Sequence, residues 1–158
     1  FSWFVWALMS TIAFSAQIVS GSGIGALSTG ITALAGFSIA VVAIFWGEKH
    51  ISKIDVISLF GAMIGIVFWG ITRDPLLAVV IIIGAYALGF IPTFRKAYVR
   101  PCEETEVTYV LSLLKWGFGF IALASFNFTT ALYPAAIFVM NLIFISMLSV
   151  RRAELPIH

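Results

Sequence analysis

The stretch LLAVVIIIGAYALGFIPTF, residues 76–94, decides the class of fold to which this chain belongs. It contains no charged side chain. Its length matches the roughly 20 residues that a helix needs to cross about 30 Å of hydrocarbon. Inside a bilayer every backbone N–H and C=O group must bond within the chain, which favours a helix for such a stretch. The stretch therefore predicts a helix that spans a membrane.

The composition of the whole chain agrees with a membrane environment. Apolar residues make up 61% of the 158 residues, charged residues make up 10%, and the mean hydropathy is +1.10. A soluble domain is nearer half apolar and a quarter charged, because polar groups must cover its surface. Lipid is therefore the expected solvent, and the bilayer is the expected partner of most of the surface.

Five further apolar stretches indicate that the chain crosses the bilayer about six times. Short turns or charged loops separate these stretches, as expected of consecutive helices. The predicted spans cover approximately residues 1–19, 24–46, 54–71, 76–94, 107–124 and 128–150. Pro75 fits the first turn of the fourth span, because proline has no N–H to donate there. The prediction is an all-α, polytopic transmembrane bundle.

The basic residues predict the orientation of these spans, because lysine and arginine near span ends remain on the cytoplasmic side. With six spans, one face of the bundle receives most of the bases and the other receives only Arg73. The first face, called the basic face below, receives Lys49, Lys53, Arg95, Lys96, Arg100, Arg151 and Arg152. We therefore expect the basic face, and with it the C-terminus, to be cytoplasmic.

The first span begins without an initiator methionine, a basic n-region or a cleavage motif, so we expect that a further helix precedes it. Spans one and two resemble spans five and six at an offset of about 105 residues. Seven helices would then form two parallel three-helix bundles joined by an inverting linker helix. Residues 1–47 would belong to the first bundle, 48–73 to the linker, 74–152 to the second bundle and 153–158 to a tail.

The sequence lacks the residue sets that common enzymes, metal sites and nucleic-acid sites require. It has no HExxH motif, no nucleophile-elbow set and no pair of acids within the spans. Cys102 is the single cysteine, so neither an internal disulfide nor a cysteine-based metal site is expected. The bases lie in loops without interleaved aromatic residues, which disfavours nucleic-acid binding. We therefore expect neither an enzyme nor a bound cofactor or metal.

Lys115 is the polar residue that points most directly to a function. It lies about nine residues, or roughly 13 Å, into the fifth span, where an unpaired ammonium costs several kcal/mol. Two interpretations stay open: Lys115 lines a polar cavity and attracts an anionic or hydroxylated solute, or its long side chain extends to the cytoplasmic face. The neighbouring Trp116 either stacks on a solute or packs against another helix, and packing is favoured.

Asn141 and Gln17 place amide groups inside predicted spans, where lipid supplies no hydrogen-bond partner. For Asn141, in the middle of the sixth span, we favour contact with a solute over a bridge between helices. For Gln17, near the outer end of the first span, we favour a bridge. Gly61 and Gly65 form a GxxxG pattern, which predicts that another helix closely approaches the third span.

Prolines interrupt two of the spans. Pro92, near the inner end of the fourth span, and Pro134, in the sixth, remove backbone hydrogen bonds and permit bending. Such bends serve as hinges in transporters, although static bundles contain them too. Pro92, Thr93 and Pro134 are the candidate hinge residues.

Residues Gly89 to Arg152 contain the runs GFIPTFRKAYVRPCEETEVTYVLSLLKWGFGF and LYPAAIFVMNLIF, followed by a closing basic pair. These runs provide a proline near the inner end of one helix, a basic turn, an acidic start to the next helix and an asparagine in the third. This pattern resembles the three-helix bundle of the PQ-loop superfamily, which includes the SWEET and SemiSWEET sugar transporters. The chain also resembles bacterial members of that superfamily, and residues 1–47 resemble part of an N-terminal bundle more faintly.

The resemblance implies a protein in which two bundles rock about prolines and pass a small solute by alternating access. Pro92 would then be the hinge. Asn141 would contact the solute at the midplane, and Trp116 would be a candidate residue of the wall. Apart from the resemblance, Lys115 and Tyr133 complete the set of candidate solute-binding residues.

Two positions differ from the family's pattern. Thr93 stands where the defining Pro-Gln pair has glutamine, and Gly36 stands where the first bundle would place the partner of Asn141. The chain also lacks the intramembrane aspartate of the proton-coupled relatives, so uncoupled transport is expected. The solute therefore stays open among sugars, amino acids and organic acids.

Two functions remain in competition at this point. The first is a transporter-like protein of a bacterial inner membrane that facilitates movement of a small polar solute. The second is a non-transporting membrane receptor or assembly subunit that uses its polar residues to hold helices together. A homo-oligomer is compatible with either function.

Overall fold

The computed structural model describes residues 2–46 and 53–154 of the chain. All regular structure within these ranges is helical, so the predicted all-α class is confirmed. The α-helices are α1 (Ser2–Val19), α2 (Leu27–Trp46), α3 (Lys53–Thr72), α4 (Pro75–Val99), α5 (Glu106–Ile121) and α6 (Phe128–Ala153). Short 3-10 helices cover Gly23–Ala26, before α2, and Pro101–Glu103, between α4 and α5.

Three helical segments are long and apolar enough to cross a membrane. They are Gly23–Trp46, which combines the first 3-10 helix with α2, then α4 and α6. The apolar parts of α1 and α3 are shorter. Helix α5 has 16 residues, which correspond to about 24 Å. These three helices fit an integral membrane protein.

Large apolar side chains are exposed on the outside of the helices. On α2, Ile31 is 60% exposed and Leu34 is 69% exposed, whereas Ala33 between them is buried. In water these exposed side chains would form large apolar patches, which soluble monomers rarely carry. In a bilayer they face acyl chains, and the buried alanines permit the helices to approach one another.

The starts of α4 and α6 follow from local sequence. Pro75 occupies the first turn of α4, as predicted, and Asp74 Oδ1 accepts a hydrogen bond of 2.9 Å from the N–H of Leu76. At the start of α6, Asn127 and Thr130 form a reciprocal capping box. Both caps satisfy N–H groups that the first turn of a helix leaves without partners.

Two predicted span ends differ from the structure. Helix α4 continues past Arg95 and Lys96 to Val99, because charged residues end an apolar stretch but lysine and arginine are good helix formers. The connection to α5 is therefore limited to residues 100–105. Helix α5 ends at Ile121, three residues before the predicted end at 124.

Some predictions fall wholly or partly outside the described residues. Phe1, most of the charged loop between the second and third spans, with Lys49, and residues 155–158 of the predicted tail lie outside them. Within the described part of the tail, α6 continues to Ala153.

Helices α1, α4 and α6 each pack against at least three other helices of the bundle. Helix α1 packs against α2, α3, α4 and α6, and α6 packs against α4 and α5. Glycines permit close crossings: a Cβ added at Gly36 would lie 3.0 Å from Cβ of Ala7, and one added at Gly61 would lie 2.9 Å from Cβ of Ala85 on α4. The close approach predicted from the GxxxG pattern of α3 is therefore confirmed at Gly61.

Candidate solute-binding cavity

A cavity of about 810 Å³ lies between the helices, and all six contribute to its wall. This volume is within the range of sites that bind small molecules. The wall combines aromatic side chains with hydroxyl groups. The aromatic residues include Trp6, Tyr86, Trp116 and Tyr133, and the hydroxyl groups include those of Ser10, Thr32, Thr93, Thr108 and Ser112.

The cavity occupies the half of the bundle that ends at the basic face. Helix α1 lines it between Trp3 and Ser10, α4 between Tyr86 and Thr93, and α5 between Thr108 and Trp116. These segments are the first half of α1, the second half of α4 and the first two thirds of α5. The cavity therefore extends from the middle of the bundle toward the face where α4 ends and α5 begins.

The opposite end of the bundle, called the closed end below, is tightly packed. It consists of residues 17–28 and 119–130. A Cβ added at Gly25 would lie 2.8 Å from the backbone of Leu123, and one added at Gly23 would lie 2.7 Å from Cβ of Ala124. The N–H of Ala124 also donates a 3.0 Å hydrogen bond to the carbonyl oxygen of Ser22. These contacts join the turn before α2 to the turn before α6.

Gln17 connects α1 to α6 at the closed end. Its side chain is fully buried, and Nε2 donates a 3.1 Å hydrogen bond to the carbonyl oxygen of Thr130. The bridge predicted for Gln17 is therefore confirmed. Its Oε1 atom has no hydrogen-bond partner among the described residues. A buried, unpaired oxygen is unfavourable, so this arrangement lowers the stability of the closed end relative to a fully paired one.

Lys115 lies in the cavity wall at the level of Thr32. Its Nζ donates a 2.8 Å hydrogen bond to Oγ1 of Thr32 and lies 4.5 Å from the ring centroid of Trp116. Helices α2 and α5 are antiparallel here, and Ser28 meets Gly119 one turn nearer the closed end. The ammonium is therefore held in the interior of the bundle, and it does not extend to the basic face.

Trp116 and Tyr133 form a buried aromatic pair in the wall. Trp116 is 2% exposed, and its ring meets that of Tyr133 edge-on with centroids 5.5 Å apart. The hydroxyl oxygens of Tyr133 and Ser10 lie 3.4 Å apart, which connects α6 to α1. Trp116 thus packs on a neighbouring helix, as favoured from the sequence, and it also lines the cavity.

Asn141 lines the cavity without bridging two helices. It is 5% exposed, and its Nδ2 donates a 2.8 Å hydrogen bond to the carbonyl oxygen of Ile137 in the same helix. Its Oδ1 makes no hydrogen bond to a described residue. Gly36, the position predicted to correspond to Asn141 in the first half of the chain, lines the same cavity. The amide oxygen of Asn141 is therefore available to a bound molecule.

Two of the three candidate hinge residues line the cavity, and the third does not. Pro92 and Thr93 line the cavity near the basic face, and Pro92 is exposed. Pro134 is fully buried one turn from the Gln17 bridge, and it is not among the residues that line the cavity. Helices α4 and α6 each continue through their proline. Motion about these residues stays a prediction.

Hydroxyl groups in the wall were missed by reasoning from the sequence. Thr32, the partner of Lys115, also donates a 2.6 Å hydrogen bond to the carbonyl oxygen of Ser28. Serine and threonine in helices commonly bond their own backbone in this way, so their presence does not indicate a site. The missing signal was the pairing of α2 with α5, which joins residues 83 positions apart.

The connection between α4 and α5, beside the cavity, is tied to the end of α6. Arg152 Nη2 donates to the carbonyl oxygens of Pro101 at 3.1 Å and Glu104 at 2.6 Å, and Nη1 lies 2.5 Å from a carboxylate oxygen of Glu106. The hydroxyl of Tyr109, a residue of the cavity wall, donates to Oε2 of Glu104 at 3.3 Å. This network links the basic face to the cavity.

Comparison of the chain with protein-family models, curated proteins and solved structures gave no match in any of the three. Within residues 2–46 and 53–154, no group of three or more His, Cys, Asp or Glu residues is placed to bind a metal ion. The function is therefore inferred from the cavity and from the motifs of the sequence.

Proposed function

We propose that this chain is an integral membrane protein that moves a small polar solute by alternating access, as the resemblance to the PQ-loop superfamily implies. One observation carries the proposal. One half of the bundle contains a cavity lined by polar and aromatic side chains, whereas the end of the other half is tightly packed. A carrier needs such an asymmetry, because its site must be accessible from one side of the membrane at a time.

The proposed topology has six spans in this chain and a cytoplasmic basic face. The packing of α6 against both α4 and α5 supports a C-terminal three-helix bundle over residues 74–152. The remainder of an N-terminal bundle would cover residues 1–47, with residues 48–73 as the linker. Under this topology the cavity faces the cytoplasm of a bacterial cell, and the closed end faces outward.

The proposed binding site comprises Lys115, Trp116, Tyr133 and Asn141, all of which line the cavity. A solute would enter from the basic face and bind these residues. Closure near Pro92 and separation of the contacts at the closed end would then release it on the other side. The proposed transport is uncoupled, because the sequence lacks the intramembrane aspartate of the proton-coupled relatives.

A second candidate function is a non-transporting receptor or assembly subunit with the same bundle. The observation that favours it is the use of polar side chains to join helices. Besides the Gln17 bridge, Oγ of Ser58 on α3 donates a 3.2 Å hydrogen bond to the carbonyl oxygen of Ala85 on α4. Such bonds stabilise static bundles as well as mobile ones.

Uptake into proteoliposomes distinguishes the two functions. The full-length protein would be screened with labelled sugars, amino acids and organic acids, together with Asn141→Ala and the control Ser146→Ala, an exposed position on the same helix. Saturable uptake that Asn141→Ala reduces and Ser146→Ala preserves would support transport. Well-folded protein without flux of any solute would contradict it and favour the second function.

A further inference from the structure

The cavity wall carries one charged group. Among the described residues that line the cavity, Lys115 is the only one with a formal charge. A cation inside the hydrocarbon region is stable only when water, a polar partner or an anion accompanies it. The described wall contains no carboxylate that could neutralise the charge of Lys115.

The ammonium of Lys115 is only partly satisfied by the protein. It has three N–H donors, and its one hydrogen bond to a described residue is that to Thr32. The ring of Trp116 lies 4.5 Å away and stabilises the cation through its negative face. Because Lys115 lines the cavity, its other donors are available to a molecule bound there.

The rest of the wall suits an uncharged molecular body. Trp6 and Tyr86 pack against each other with ring centroids 4.6 Å apart, and Tyr133 and Trp116 form the second aromatic pair. Such surfaces bind aliphatic or aromatic groups by burial and stacking. The Oδ1 atom of Asn141 adds an acceptor for one hydroxyl or N–H donor.

We propose that the cavity binds a small organic monocarboxylate, whose carboxylate accepts hydrogen bonds from Lys115 and whose uncharged body packs against the aromatic pairs. This inference rests on the proposed function and names its substrate class. A sugar would leave the charge of Lys115 without a counter-ion. An amino acid would bring an ammonium for which the described wall has no carboxylate.

Equilibrium binding to the full-length protein in lipid nanodiscs tests this inference. The probes are benzoate and its neutral isostere benzamide, together with lactate, glucose and alanine. The variants are Lys115→Met, which removes the charge at similar length, Lys115→Arg, which keeps it, and the control Lys53→Met, an exposed position at the start of α3.

We expect benzoate to bind at least about tenfold more tightly than benzamide, and lactate at least about tenfold more tightly than glucose, because benzamide and glucose have no carboxylate to accept a charge-assisted hydrogen bond. Alanine should bind less tightly than lactate, because its ammonium finds no carboxylate in the described wall. Lys115→Met should weaken carboxylate binding about 10- to 100-fold, and Lys115→Arg should retain most of it. Lys53→Met should leave it unchanged. Equal affinity for benzoate and benzamide, or carboxylate binding that Lys115→Met leaves intact, would overturn the inference.

Flux measured with the same proteins separates this inference from the proposed function. Carboxylate binding that depends on Lys115 but produces no uptake would support the inference and contradict transport. Uptake of glucose or alanine that is insensitive to Lys115→Met, without carboxylate binding, would support transport and overturn the inference.

Discussion

Gln17 on α1 donates a hydrogen bond to the carbonyl oxygen of Thr130 on α6. In a regular helix that oxygen accepts from the N–H four residues later, and here that position is Pro134, which has no N–H. Proline and glutamine are thus parts of one arrangement, in which the proline frees an acceptor and the glutamine occupies it. The arrangement joins α1 to α6 where the closed end meets the middle of the bundle.

The first prediction concerns the energetic coupling of these residues. Gln17→Met removes the hydrogen bond and leaves the Thr130 oxygen unpaired, although loss of the unpaired Oε1 offsets part of this cost. In a Pro134→Ala background the restored N–H satisfies Thr130. Gln17→Met should therefore be less destabilising there, by about 1 kcal/mol. Reversible unfolding of the four proteins in detergent measures this coupling, and equal costs in both backgrounds would contradict it.

The second prediction concerns the packing of the closed end. A Cβ added at Gly119 would lie 2.9 Å from Cβ of Ser28, so Gly119→Ala should separate α5 from the start of α2. The expected result is faster modification of a cysteine introduced at the buried position Ser22 by a membrane-impermeant maleimide, in a Cys102→Ser background.

The matched control for this experiment is Gly70→Ala, since nothing lies within 4 Å of a Cβ added at Gly70. Gly70→Ala should leave the rate of modification at position 22 unchanged. Identical rates in the two alanine variants would show that Gly119 does not determine the packing of this end.

The third prediction concerns Arg152, which holds the connection between α4 and α5. Lysine keeps the charge but cannot bond two carbonyls and a carboxylate with one planar group, so Arg152→Lys should lower stability by about 1–3 kcal/mol. Hydrogen exchange in residues 100–106 should become faster. Arg100→Lys is the control, because the side chain of Arg100 is 68% exposed and, among the described residues, forms an ion pair with Glu103 alone. Similar exchange in both variants would argue against the role of Arg152.

The fourth prediction concerns Pro92 as a hinge. Pro92→Ala supplies an N–H to the carbonyl of Leu88 and should stiffen α4. If α4 bends during transport, uptake should fall while solute binding to the cavity changes less than about twofold. Ile91→Ala, at an exposed neighbouring position, should leave uptake unchanged. Normal uptake by a stabilised Pro92→Ala protein would exclude the hinge.

The all-helical class could be predicted from the sequence because it depends on local signals. The apolar stretch before Pro92 predicted α4, and Pro75 predicted its first turn, since each residue acts on its own helix. The end of α4 at Val99 could not be predicted from the onset of charge. Helix α4 continues through Arg95 and Lys96, since lysine and arginine are good helix formers.

The membership of the cavity wall was only partly predictable. The depth of Lys115 along α5 follows from its position in the sequence, whereas its bond to Thr32 depends on how two distant helices pair. The sequence predicted that Gln17 bridges two helices, but it did not predict that the carbonyl oxygen of Thr130 is the acceptor. Pro134 leaves that oxygen free, and only the packing of α1 beside α6 shows that Gln17 can reach it.

The length of α5 has a consequence for the membrane itself. With 16 residues it reaches about 24 Å, some 6 Å less than the usual hydrocarbon thickness. If α5 spans the bilayer, a helix that short produces hydrophobic mismatch, which local thinning of the bilayer relieves. Because α5 carries Lys115 and ends within the closed end, acyl-chain length would then act directly on the wall of the cavity. If the protein works by alternating access, as proposed, the lipid composition of the membrane would then help to set the balance between its two states.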